Sequence, residues 1–136
     1  VAEKTPHPHF NDGGTLHWYT RWDDASAAAR AEGKLVFVEM GRELCSQCRS
    51  LVQGVVPLPT IAPLLQEHFV ALASDADAPE QPVIELAMQL ENAMMLPFVF
   101  FADADGNFKG GSSGFVDPDQ LEVTLQGLVG SGLPGS

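Results

Sequence analysis

The apolar run Leu35-Val36-Phe37-Val38 leads through Glu39 and Met40 to Cys45 and Cys48, the only two cysteines of the chain. A short apolar run rich in β-branched and aromatic residues reads as a buried central strand, here Leu35 to Met40. A lone CxxC directly behind such a strand reads first as a dithiol that cycles, not as a structural clamp. The spacing suits the first turn of a helix, where two sulfurs come close enough to bond while the leading one stays at the exposed end. There Cys45 would face unpaired backbone N–H groups and the positive end of the helix dipole. Both hold a thiol below the roughly 8.5 of free cysteine. The helix is expected to begin at or near Cys45, to carry Arg49, Leu51 and Val52, and to be interrupted by Gly54 and Pro57.

Size and charge narrow the possibilities further. The 136 residues, 45% of them hydrophobic, suffice for one domain with a proper core and not for two of ordinary size. Seven basic against 18 acidic residues give a formal net charge of −11, which would repel phosphate backbones and anionic membrane surfaces. Nucleic acid is therefore not an expected partner. No apolar stretch approaches the roughly 20 residues that span a bilayer, so membrane insertion is not expected. The start at Val1 suits a chain whose signal peptide has been removed, and a periplasmic or otherwise exported setting is the expectation, with a cytoplasmic one left open.

Along the chain, residues 1–14 hold Pro6, Pro8 and Asn11-Asp12-Gly13-Gly14 and are expected to form a flexible arm before a domain over 15–129. Thr15 to Thr20 could form a short edge strand. Asp23-Asp24, an alanine-rich stretch and Gly33 outline a short helix. Ile61 to His68 supplies a further helical piece and Phe69 to Ala73 a second central strand running into the acidic loop Ser74 to Asp77. Val83, Leu86, Ala87 and Leu90 recur at helical spacing between Pro79 and Asn92. Phe98 to Phe101 reads as a strand, joined by the turn Asp103 to Gly106 to an antiparallel partner around Asn107 to Lys109. Asp117-Pro118 opens a last helix with Leu121, Leu125, Leu128 and Val129 on its inner face, and 130–136 reads as a tail. The class is α/β, a mixed sheet with helices on both faces.

Two features near the dithiol carry chemistry. Glu39 stands in an otherwise apolar strand, where desolvation would raise its pKa and let it take and return the proton of Cys48. Leu96-Pro97 precedes a strand at a position where the missing N–H is tolerated. A cis bond there would turn the Leu96 backbone toward the dithiol, free to pair with an extended client chain. Met94 and Met95 beside it suit an adaptable contact surface, whereas Met88, Trp18 and Trp22 read as packing residues.

Other sites fit the residues less well. Zinc needs about four ligands, and His7, His9, His17 and His68 are scattered. His7-Pro8-His9 could capture copper or zinc, but a solvated terminus explains it more simply. Asp103 to Asn107 lacks acidic ligands at the first and twelfth positions of a calcium loop. Gly110 to Gly114 has no following Lys-Ser/Thr and reads as a flexible connection, not a phosphate loop.

Over Leu16 to Val129 the chain resembles a thioredoxin-fold protein, with a central sheet of four to five strands. The matching parts are the strand with Glu39, Cys45-Ser46-Gln47-Cys48-Arg49, the acidic loop ending at Asp77, Leu96-Pro97 and Gly114-Phe115. Trp18, Gly33-Lys34, Leu96-Pro97-Phe98-Val99-Phe100-Phe101 and Asp105-Gly106 narrow the likeness to thioredoxin-like reductase domains of bacterial periplasms. The resemblance implies a nucleophilic Cys45, a resolving Cys48, a proton-handling Glu39 and a cis Pro97, with Leu96, Leu44, Ser46 and Gln47 around the substrate groove. Three departures stand out: Leu44 replaces the usual tryptophan, Glu39 the common aspartate, and Val70-Ala71-Leu72-Ala73 lacks the lysine paired with that acid in thioredoxin.

The expected function is thiol-disulfide exchange with protein clients and a regenerating thiol-disulfide partner, by a monomer, with no cofactor and no metal. Ser46-Gln47 lacks the histidine of strong oxidants, which leans the pair toward reduction. Two other readings stay open: a redox-inert or weakly redox binding module using the same groove, and a copper(I) metallochaperone using the two thiols.

Overall fold

The computed structural model describes residues 4–132. Its elements run β1 (Trp18–Tyr19), α1 (Trp22–Glu32), β2 (Leu35–Gly41), α2 (Ser46–Arg49) continuing as a π-helical segment (Ser50–Val55), α3 (Ala62–His68), β3 (Phe69–Asp75), α4 (Gln81–Ala87), β4 (Phe98–Ala102), β5 (Phe108–Ser113) and α5 (Pro118–Gly132). The five strands form one mixed sheet in the order β1-β3-β2-β4-β5, with β2 parallel to β3 and antiparallel to β4. The chain enters the middle of the sheet at β2, whose seven residues are all buried.

Period-two alternation on β2 divides the core. Val36, Val38 and Met40 pack with Trp22, Ala25 and Ala29 of α1 and Val83 and Leu86 of α4. Leu35 and Phe37 face the other way, against Leu51, Val52, Ile61, Leu65, Leu121 and Leu125. Glu39 continues this second row. The sequence pattern thus puts the one carboxylate of β2 on the face that also receives the Cys48 helix. Asp23 and Asp24 in the first turn of α1 and Arg30 in its last suit the helix dipole, and Gly33 ends it at φ 68°, a left-handed conformation that glycine adopts without strain.

Several segments differ from expectation. From Lys4 onward the N-terminal segment is no free arm: it folds back so that Trp18 N–H donates to Thr5 O at 2.8 Å, and His7, Phe10 and Asp12 are buried. Asp12 makes this possible, accepting from the N–H groups of Gly14, Thr15 and Leu16 and from the Trp18 indole at 2.8 Å. A carboxylate that collects four donors holds a loop that composition alone would leave loose. The strand expected over Thr15 to Thr20 shrinks to Trp18–Tyr19, on the sheet edge.

The Gly110-Gly111-Ser112-Ser113 stretch is not a flexible connection but most of β5, paired with β4. Gly111 fits there because it lacks a side chain: a Cβ would strike Val99 O and the Phe100 side chain. Helix α4 stops at Ala87, short of Leu90, and leaves Met88 77% exposed instead of in the core. Residues 130–132, expected in a tail, close helix α5, and 133–136 lie outside the described residues. Asp103 does turn the β4–β5 hairpin, its carboxylate accepting from the N–H groups of Asp105 and Asn107. Among the described residues no helix is long and apolar enough to cross a membrane.

Candidate active site

Where β2 ends, the chain loops over its own carboxyl edge and enters α2, and Cys45 is the residue at the turn. It stands at the N-cap in an extended conformation, φ −147° and ψ 107°, and its sulfur accepts the Cys48 backbone N–H at 3.2 Å. A sulfur in that position takes up one of the orphan donors of the helix start, an interaction that favours the thiolate over the thiol. Cys45 and Cys48 are joined as a disulfide with Cα atoms 5.2 Å apart. The two sulfurs are unequal. Cys45 is half-buried at the protein surface, whereas Cys48 is fully buried in the core beneath it.

Beneath Cys48 lies Glu39, 2% exposed. Its strand neighbours in register are Ala73 on β3 and Val99 on β4, which offer it no polar partner. The space between carboxylate and sulfur exists because residue 41 is glycine. A Cβ at Gly41 would collide with Glu39 Oε2 and lie 2.6 Å from Cys48 Sγ, so both atoms border one small gap. That gap puts Oε2 within reach of the Cys48 proton, directly or through one bridging water.

The other carboxylate oxygen is taken. His7 Nε2 stands 2.7 Å from Glu39 Oε1, and both side chains are 2% exposed. Burial drives the Glu39 carboxyl above its usual pKa range, and the hydrogen bond from His7 opposes that rise without cancelling it. The sequence reads His7 as part of a solvated terminus, whereas in the structure its ring is enclosed by Phe10 and Trp18, with ring centroids 5.3 and 4.8 Å away. Asp12 and Gly41 complete the functional residues that sequence reasoning missed. The one signal for Asp12 was the turn composition Asn11 to Gly14, and nothing in the sequence connected His7 to β2.

Above the disulfide is an open groove of about 610 Å³ lined by Cys45, Leu44, Ser46, Gln47 and Leu96, together with Met94 and Met95. The sequence-predicted groove residues therefore come together, with the exception of Pro97. The Leu96–Pro97 bond is cis, the geometry that the resemblance implies. Pro97 itself is buried under the groove, and its carbonyl accepts the Gly114 N–H at 3.0 Å. Leu44 is 92% exposed and Met94 85%, so the groove rim is apolar and uncovered. A second cavity, of about 230 Å³, reaches Glu39, Gly41 and His7 past Thr20, Ser74 and Glu80. Among the described residues no cluster of three or more His, Cys, Asp or Glu side chains is placed to hold a metal ion.

Known proteins agree with this architecture. The profile of a family described as thioredoxin-like matches residues 17–104. A putative disulphide-isomerase from Bacteroides thetaiotaomicron superposes with a TM-score of 0.67 at 22% identity, covering 96% of this chain and 98% of that one. A thioredoxin from Thermus thermophilus gives 0.65 at 23% identity, covering 85% and 88%. The oxidised C-terminal domain of DsbD from Neisseria meningitidis gives 0.59 at 18% identity, covering 81% and 97%. At these identities the likeness is one of fold. No curated protein matches the chain.

Proposed function

We propose, from the premise that this chain belongs to the thioredoxin-like family, that it is a thiol-disulfide oxidoreductase acting on protein clients. The observation that carries this reading is the unequal pair: a disulfide with one sulfur at the groove and the other sealed against a buried carboxylate. A structural clamp would need neither the groove nor the carboxylate.

In the reductive direction the cycle begins from the dithiol. The Cys45 thiolate attacks one sulfur of a client disulfide, forming a mixed disulfide and releasing the client's other sulfur as a thiolate, which takes a proton from solvent. Cys48 then gives its proton to Glu39 Oε2 and attacks Cys45 Sγ. The bond to the client breaks, its second thiolate leaves and is protonated, and the Cys45–Cys48 disulfide remains. Two electrons have passed to the client, and a dithiol partner must return them. Leu44, Ser46, Gln47 and Leu96 border the path along which an extended client segment would lie.

The reductive direction is favoured by Ser46-Gln47, which places no imidazole between the two cysteines to stabilise the thiolate strongly. A reduction potential near the roughly −270 mV of thioredoxin supports it, and one near the roughly −120 mV of a strong oxidant overturns it. The protein acts as a monomer in a periplasmic or otherwise exported setting in this proposal, which cell fractionation tests. The activity itself is tested by reduction of insulin or a model disulfide. Turnover that disappears in Cys45→Ser supports an enzyme; no turnover by the parent leaves the groove as a binding surface and sinks the enzymatic reading.

A further inference from the structure

We propose that His7 is a positioning residue for the step at Cys48, acting through Glu39: it decides which carboxylate oxygen receives the proton and how readily that oxygen takes it. This rests on the reading of Glu39 as the acceptor of the Cys48 proton. The hydrogen bonds of the imidazole fix its tautomer. Its Nδ1 lies 3.1 Å from the backbone N of His9 and 3.2 Å from that of Phe10. A backbone N–H can only donate, so Nδ1 accepts and carries no proton, which leaves the ring N–H on Nε2. That N–H donates to Glu39 Oε1 at 2.7 Å.

Two consequences follow for the carboxylate. With Oε1 occupied by a donor, an incoming proton goes to Oε2, the oxygen that shares the gap above Gly41 with Cys48 Sγ. The donor also favours the charged form of Glu39 against the burial that disfavours it, so the acceptor stays usable although its side chain is buried. A base oriented by a third group is the arrangement that activated nucleophiles commonly require.

The ring is itself held. Phe10 stacks on it, Trp18 meets it edge to face, and Trp18 is fixed through its indole N–H to Asp12. A contiguous series of contacts therefore runs from Asp12 through Trp18 and His7 to Glu39 and Cys48. The other titratable groups near Glu39 are His9 of the same segment and, across the smaller cavity, Asp75 at the end of β3 and Glu80 before α4. Strand neighbours Ala73 and Val99 carry none.

The test is single-turnover release of a small thiol from its mixed disulfide with Cys45, followed as a function of pH in the parent and in E39Q, H7F and H7Q. Phenylalanine keeps an aromatic ring against Phe10 and Trp18 but has no N–H. Glutamine brings an amide nitrogen to about the place of Nε2. The Glu39 step in the profile should move upward by about one pH unit or more in H7F, the effect of removing a hydrogen bond to a charged acceptor. H7Q should return it toward the parent, which a role in folding alone does not explain. E39Q should abolish the step. If E39Q abolishes it while H7F leaves it in place, His7 has no positioning role and the reading of Glu39 survives. If E39Q leaves the profile unchanged, both fall. Should H7F fail to fold, ¹⁵N shifts of the His7 ring in the parent decide: an Nε2–H tautomer coupled to the Glu39 carboxyl titration supports the proposal, and an Nδ1–H tautomer overturns it.

Discussion

Cys45 and Cys48 are three residues apart, yet they belong to opposite kinds of protein environment. Around Cys45 the surface is open and largely apolar: Leu44, Met94 and Met95 are exposed, and the two methionines of the groove are unbranched and adaptable. Around Cys48 the packing is close and specific: Cys48 is fully buried, Glu39 and His7 are each 2% exposed, and Gly41 leaves the gap that Glu39 Oε2 shares with Cys48 Sγ. The contrast separates two tasks. Recognition of varied clients tolerates imprecision, whereas proton transfer does not, since a displacement of an ångström removes the acceptor from the reach of the thiol.

Removing the sealed sulfur should produce the largest effect. Cys48→Ser leaves the groove and Cys45 in place, so the first attack proceeds while resolution stops. Mixed disulfides between Cys45 and clients should accumulate and turnover should fall to background, as read by non-reducing electrophoresis and mass spectrometry. Accumulation absent in this variant would mean that Cys45 does not attack first, and the assignment of open and sealed sulfurs would reverse.

Glu39→Gln should slow resolution by about 10²-fold, the lower end of what a positioned acid-base group contributes. The same variant tests the thermodynamics of the sealed side. Because burial raises the Glu39 pKa, the folded state holds a proton that the unfolded state releases at lower pH. The stability linked to that proton is fully present below the ordinary carboxylate range and is lost as pH rises through the raised value. Glutamine cannot ionise, so E39Q should gain on the parent steadily across that window and hold a constant advantage above it. Urea unfolding of the oxidised proteins at a series of pH values measures the difference. Equal pH slopes would show that Glu39 is not the group whose ionisation the fold opposes.

Gly41→Ala examines the gap by filling it. The added methyl collides with Glu39 Oε2 and Cys48 Sγ, neither of which can move freely in a packed core. A loss of about 1–3 kcal/mol is expected, the usual cost of overpacking. Denaturant unfolding checks it, and resolution should slow in parallel as the carboxylate is pushed away. An unchanged stability would mean that the sealed side is softer than its burial suggests.

Sequence legibility follows the same division. The strand Leu35 to Met40, the dithiol at a helix start, the buried Glu39 and the groove residues Leu44, Ser46, Gln47 and Leu96 are all local signals: a period, a spacing, a charge in an apolar run. The fold follows from those signals, because β2 carries two apolar rows and must be covered on both faces. His7 escapes such reading because it meets Glu39 across 32 positions of sequence. A proline-flanked histidine in a polar segment looks solvated until Asp12 folds that segment back. Gly111 of β5 escapes it too, since its value lies in what a side chain would strike on β4. Met88 escapes it because helix α4 ends at Ala87: Leu90, in the periodic row, still packs against the core, whereas Met88, outside that row, is left exposed.

The smallest effect should come from the open side. Leu44→Ser and Met95→Ser alter residues that are 92% and 63% exposed and bury little in the free protein. Their effect on stability should stay within about 0.5 kcal/mol, as for ordinary surface positions. A docked client would cover them, and partial burial of one apolar side chain contributes about 1 kcal/mol. The KM for a protein client should therefore rise about threefold to tenfold while the rate with a small model disulfide, too short to reach them, stays that of the parent. A loss shared equally by both substrates would place Leu44 and Met95 in the chemistry of the dithiol and erase the distinction between an adaptable side and a fixed one. A loss with neither would mean that clients approach Cys45 from elsewhere on the groove, past Ser46 and Gln47.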